Sequence, residues 1–117
     1  MTAAFESRLE FVRQLSADQI EQLWRLFQAE PCGRSRRIHD VRRAVEHSDL
    51  IFPLCDRETG RLVAFARVLT DFVYNAVILD LVIDRHDPDP RLGNLLADAI
   101  TAHPALLFVE RLDLLPR

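Results

Sequence analysis

Cysteine is nearly missing from this 117-residue chain, and the two that occur, Cys32 and Cys55, form no C-x-x-C pair. The histidines His39, His47, His86 and His103 are scattered singly. A structural zinc site needs four ligands at characteristic spacing, so no metal centre is expected and the cysteines read as free thiols of a reducing cytosol. No apolar run approaches the ~20 residues of a membrane span. Glu6, Arg8 and Glu10 interrupt the N-terminus where a secretory leader would be apolar. A basic excess is lacking too: the net charge of −3 speaks against a dedicated nucleic-acid or membrane-surface binder. Repeats, low-complexity tracts and long linkers are absent. The expectation is one cytoplasmic domain, residues 1–117, with no membrane partner.

What is present suits a packed core. Hydrophobic residues make up 49% and charged residues 28%. "RLEFVRQL" (8–15) alternates like a strand, with Leu9, Phe11 and Arg13 on one face. Ser16 and Gln19 have capping-box spacing, and Ile20, Leu23, Trp24 and Phe27 then recur at helical spacing until Pro31 and Gly33 end the run. A second helix is expected over "RIHDVRRAVEHS", where Ile38, Val41 and Val45 share a side. "LIFPLC" and "RLVAFARVL" read as a hairpin around "DRETG", with Pro53 marking the first as an edge or bulged strand. "NAVILDLVID" is a nearly continuous apolar strand with both faces covered. "RLGNLLADAITAHP" places Leu92, Leu95, Leu96, Ala99 and Ile100 on one helical face, and "LLFVERLDLL" closes as a strand. The order β-α-α-β-β-β-α-β defines a mixed α/β fold whose last strand–helix–strand unit is a parallel crossover.

Three features carry chemistry. Asp80 interrupts the apolar fourth strand; burial would raise its pKa into a general base's range, or it accepts hydrogen bonds from Arg67 or nearby backbone. "DRHDPDPRLG" joins that strand to the next helix, whose N-terminus would attract an anion, and Gly93 lets backbone approach it. The plain alternative is a βα connection in which Gly93 only eases packing. Arg34, Arg36, Arg37, Arg42 and Arg43 form a basic run that reads as a solvated helix face, since no aromatics interleave for base stacking. Asp71 and Tyr74 belong to the turn before the fourth strand.

From about residue 9 to 115 the chain resembles the GCN5-related N-acetyltransferase (GNAT) superfamily, in "LVAFARVLTD", "AVILDLVID" and "LGNLLADAITAHP". The resemblance implies a GNAT-like central mixed sheet and an acetyl-CoA-dependent transfer of acetyl to a primary amine of a small molecule or peptide. It implies that Leu81, Val82 and Ile83 present backbone to the pantetheine arm, and that Arg91, Leu92, Gly93 and Asn94 face the pyrophosphate. The family loop reads R/Q-x-x-G-x-G/A; here Pro88, Arg91 and Gly93 occupy those positions, so one glycine survives. Arg91 then either strains a positive-φ site at about 1–2 kcal/mol or offers a guanidinium to phosphate. The family's usual last helix and strands, with a thiolate-protonating tyrosine, have no counterpart, and the single tyrosine is Tyr74. The resemblance therefore leaves open an inactive binding module, or a chain whose uncovered sheet edge is completed by a partner, a second copy included.

Overall fold

The computed structural model describes residues 8–115. Its elements run β1 (Leu9–Phe11), α1 (Ala17–Gln28), α2 (Ile38–Glu46), β2 (Leu50–Asp56), β3 (Leu62–Thr70), β4 (Asn75–Ile83), α3 (Leu92–Thr101) and β5 (Arg111–Leu114). That is the order the sequence predicts. The five strands lie in one sheet in chain order. The first three pairings are antiparallel and β4–β5 is parallel, as the crossover helix α3 requires.

Local chemistry sets the boundaries. Ser16 caps α1 by accepting from Gln19 N while the Gln19 side chain accepts from Ser16 N, so two orphan donors are satisfied reciprocally. The hairpin turn is closed by Asp56, whose carboxylate accepts from Glu58 N and Thr59 N, and by Gly60 at φ 75°. In the β3–β4 turn Asp71 accepts from the amides of Val73, Tyr74 and Asn75. These bonds, that from Asn75 foremost, hold its carboxyl below the ordinary value. Tyr74 is exposed on the same turn.

Helices cover both faces of the sheet. On one, Leu92, Leu96 and Ile100 of α3 pack on Phe52, Leu54, Ala64, Ala66, Val68 and Ala76. On the other, Leu23 and Phe27 of α1 and Val41 of α2 pack on Cys55, Leu62, Phe65 and Val82. Burial, then the nearby Glu10, pushes the Cys55 thiol up to about 11, whereas Cys32 is exposed.

Three expectations are corrected. The first strand covers three residues and Phe11 is exposed, because the chain turns away after Val12 donates to Pro53 O. The last strand begins only at Arg111; a 3₁₀ turn at Pro104–Leu106 and a further turn and bend through Leu107–Glu110 take up the residues before it. β2 is not an edge, since β1 and β3 flank it, and the bulged alternative is the one met: its pairing with β3 shifts register between Leu54 and Cys55. Pro53 is tolerated there because its carbonyl, and so its missing N–H, points to the β1 side beyond the last paired residue, Phe11↔Leu54.

Gly33 follows α1 with no room for a side chain: a Cβ would lie 2.5 Å from Phe27 O and 3.1 Å from Phe27 Cβ. Gly33→Ala is expected to destabilise the protein by roughly 1–3 kcal/mol through forced backbone displacement. A lowered urea midpoint at unchanged m-value would show it. Thiol labelling of the native protein should modify Cys32 rapidly and Cys55 only on unfolding.

Candidate active site

A bulge in β4 organises the site. Arg67 of β3 stands opposite Asp80 and Val68 opposite Ile78, so Leu79 is an extra residue in the fourth strand. One extra residue reverses the side-chain alternation. Before it, Ala76 and Ile78 face α3; after it, Leu81 and Ile83 do, while Asp80 and Val82 turn toward α1 and α2. The bulge therefore aims a carboxylate into the helical layer.

Asp80 is 1% exposed and meets two guanidiniums. Arg36 donates to both its oxygens, Nη2 to Oδ1 at 3.0 Å and Nη1 to Oδ2 at 3.2 Å, and Arg67 Nε donates to Oδ2. The contact with Arg67 is the one the sequence offered as the alternative to a free base; Arg36 was not foreseen. Arg36 is fixed from three directions. Its carbonyl accepts from Trp24 Nε1 and Gln28 Nε2, and its guanidinium lies 4.4 Å from the centre of the Phe27 ring. Burial pulls its pKa below the ordinary arginine value. The solvated reading of the basic run thus holds for the exposed Arg34, Arg37, Arg42 and Arg43 and fails for Arg36. Position in a charged run carries no signal of which arginine turns inward.

Backbone alternation sorts the residues assigned to the pantetheine arm. Asp84 N donates to Val63 O, so Asp84 and, two residues back, Val82 and Asp80 turn their backbone groups toward β3. Leu81 and Ile83 turn theirs to the opposite edge. The β5 ladder reaches only Ile78 among the described residues, with Leu115 N donating to Ile78 O. Two backbone positions, Leu81 and Ile83, therefore face an open edge, and Val82 pairs with Phe65 and is buried.

The loop before α3 is filled by its own carboxylates. Asp84 accepts from His86 N, Asp87 from Asp89 N and Asp89 from Arg91 N, each at 2.9 Å. Asp89 also holds the Arg91 guanidinium through Nε at 3.0 Å and Nη2 at 2.8 Å. The buried Asp87 is reached by Arg8 at 2.9 Å and Arg61 at 3.3 Å, and Arg61 also pairs with Asp84. Three carboxylates face three guanidiniums. The spacing of aspartates in "DRHDPDPR" is the signal that was missed, since Asp readily bonds the amide two residues on; nothing pointed to Arg8 or Arg61. Arg91 has φ −89°, so its replacement of glycine strains nothing. Gly93 sits where a Cβ would come 3.3 Å from Ile83 Cδ1. The first turn of α3, with the amides of Leu92, Gly93 and Asn94, has no side-chain cap. Those donors adjoin the strand end that carries Leu81 and Ile83.

A mixed sheet with a bulged fourth strand, an open edge beyond it and an uncapped helix start after it is a fold shared with known acetyltransferases. No family model matches the sequence. A GNAT-family protein from Xanthomonas campestris pv. campestris superposes with a TM-score of 0.76 at 28% identity, over 93% of this chain and 75% of that one. A GNAT-family acetyltransferase from Streptococcus pneumoniae TIGR4 shares the fold with a TM-score of 0.69 at 16% identity, over 93% and 74% of the respective chains. Serotonin N-acetyltransferase 2, chloroplastic, of Oryza sativa subsp. japonica is 35% identical over 69 residues, 57% of this chain. The match spans about a third (34%) of that relative's length. The chain has the GNAT fold, and these likenesses support its membership of that superfamily.

Two outcomes follow from the charges. Asp80→Asn leaves two guanidiniums around a neutral amide, and breaking a buried pair from one side costs about 3–5 kcal/mol; chemical denaturation should show a loss of that order. Hydrogen bonding from Arg91, above all, lowers the Asp89 pKa to about 2. A depressed folded-state pKa contributes stability that is present above the unfolded value of about 3.9 and lost as pH falls through 2. Asp89→Asn should therefore flatten the acid limb of a stability–pH curve between about pH 4 and 2 while costing about 1 kcal/mol at pH 7.

Proposed function

We propose that the chain binds acetyl-CoA along the β4 edge and at the start of α3, and transfers its acetyl group to a primary amine in the cytoplasm. The observation that carries this reading is the pairing of an uncapped helix start with an open strand edge next to it. Leu92, Gly93 and Asn94 would receive the diphosphate on backbone N–H groups, helped by about half a positive charge at the helix terminus. Leu81 and Ile83 would hydrogen-bond the pantetheine amides, while Val82 secures the strand from behind. Acetyl-CoA, when bound, supplies an acyl group already activated as a thioester. The chain supplies position, which for a well-oriented pair can remove about 7–11 kcal/mol of the barrier.

Asp80 enters as a positioning residue. Both of its oxygens are engaged by guanidiniums, so the proton of an amine with pKa near 10.4 passes to water instead of to this carboxylate. The acceptors are small primary amines, serotonin among them, or peptide amines.

A second reading, a binding module without turnover, is favoured by one observation. Loop amides and Arg91 already serve Asp84, Asp87 and Asp89.

Coenzyme A at ~100 times its dissociation constant is expected to stabilise the protein by about 2.7 kcal/mol in a thermal melt. Gly93→Glu and Asn94→Glu, each compared with its own ligand-free melt, should lose the shift, because both put negative charge beside the phosphates. Binding with acetylation of any amine in a panel supports transfer. Binding without acetylation supports the module. No binding removes both.

A further inference from the structure

A cavity of about 570 Å³ lies on the α1–α2 side of the sheet, at the margin away from β4. It is framed by the bend after β1, the first turn of α1, the last turns of α2 and the start of β2. None of the residues of the candidate active site lines it. Its volume falls within the roughly 300–1,000 Å³ of small-molecule sites. Ile20 is buried, and it forms an apolar floor with the half-buried Leu15, Val45 and Ile51. Arg13, Arg42 and Glu46 stand at the rim, all three exposed.

Charge and backbone say what fits. Arg8, Arg36, Arg61, Arg67 and Arg91 all hold carboxylates of the chain. Arg13 and Arg42 come from different elements to the same cavity, and neither forms an ion pair with a described residue. Glu46, one turn on from Arg42 along α2, is likewise unpaired among the described residues. Two positive charges and one negative suit a single carboxylate. A dianion such as a phosphate monoester would set a second negative charge beside Glu46. The strand edge adds direction. Val12 N donates to Pro53 O, so Pro53 and, two residues back, Ile51 turn their backbone groups toward the β1 side. The β1 ladder ends at Phe11↔Leu54, and the chain bends away through Arg13 and Gln14. The N–H and C=O of Ile51 therefore have no strand beside them among the described residues. A donor and an acceptor on one residue match a secondary amide, which presents the complementary acceptor and donor.

We propose that this cavity is a ligand site separate from the β4 edge, for a small monocarboxylate with an apolar body and a secondary amide, the chemistry of an N-acylated apolar amino acid. The carboxylate meets Arg13 and Arg42, the aliphatic side chain lies on Ile20 and Val45, and the amide pairs with Ile51. A free amino acid fits less well, because its ammonium would face two guanidiniums. The inference does not depend on cofactor binding.

The probe is N-acetyl-L-leucine, titrated into the ¹⁵N-labelled full chain. Amide shifts at Leu15, Ile20, Val45 and Ile51 should saturate together, with a dissociation constant on the order of 1 mM for a ligand of this size. N-acetyl-L-leucinamide keeps the side chain and amide but lacks the charge, and should bind about fivefold more weakly or worse. 4-Methylpentanoate keeps the charge but lacks the amide, and should also bind more weakly. Arg13→Ala and Arg42→Ala should each weaken the acid about two- to fivefold and leave the neutral leucinamide unaffected, while Glu46→Gln should tighten the acid by a similar factor. All three substitutions are at exposed positions, and unchanged ligand-free spectra away from them confirm the fold. Acetyl-Ala-Ala-Leu distinguishes the sources of this chemistry: tighter binding than N-acetyl-L-leucine assigns the site to a peptide C-terminus, and equal or weaker binding to the free acid. An absence of saturable shifts at these amides would overturn the inference. Equal affinity for the acid, the leucinamide and 4-methylpentanoate, or arginine variants that bind the acid as the wild type does, would do the same.

Discussion

The contact on which the rest depends is the buried carboxylate of Asp80 held between Arg36 and Arg67. It joins a loop between the helices to two neighbouring strands, across 44 residues of sequence. The bulge at Leu79 puts it there. Without the extra residue, side-chain parity along β4 would send position 80 to the α3 face and an apolar side chain to Arg36. With it, Leu81 and Ile83 keep the apolar α3 face filled and their backbone groups meet the open edge. One inserted residue thus fixes the helical layer, the core and the candidate cofactor edge together. Every one of the 15 basic side chains is arginine, and a guanidinium fork suits this bidentate arrangement better than an ammonium would.

The same chemistry shapes the loop beyond β4. A glycine-rich phosphate loop keeps its amides available by giving them no side-chain partner. Here Asp84, Asp87 and Asp89 accept from the amides two residues on, and Arg8, Arg61 and Arg91 balance their charge. The loop is cross-linked by its own carboxylates. What it leaves for an external anion is the first turn of α3, so affinity would rest on three amides and a helix dipole. A diphosphate there also meets the carboxylate of Asp89, which stays ionised far below neutral pH.

Local rules made much of this legible. The Ser16–Gln19 box, the leucine spacing of α3, the hairpin at Asp56–Gly60 and the parallel crossover each follow from residues a few positions apart. The misreadings share a different cause. Pro53 is accommodated because β1 stops one residue short of it, Arg36 turns inward because Phe27, Trp24 and Asp80 converge from three elements, and β5 is short because Pro104 starts a 3₁₀ turn. The first two are settled by contacts distant in sequence, which no window on the chain can hold. Asp80 shows the boundary well: a lone carboxylate in an apolar strand announces that something meets it, while the identity of the second guanidinium needs the fold.

The central claim is that the open β4 edge and the start of α3 form one cofactor site. Amide chemical shifts followed by ¹⁵N NMR during titration with coenzyme A test it most directly. The account predicts saturable shifts at Leu81, Ile83, Leu92, Gly93 and Asn94 that share one dissociation constant, with Val82 moving less than its two neighbours. Shifts confined to other parts of the sheet, or none at saturating coenzyme A, would contradict it.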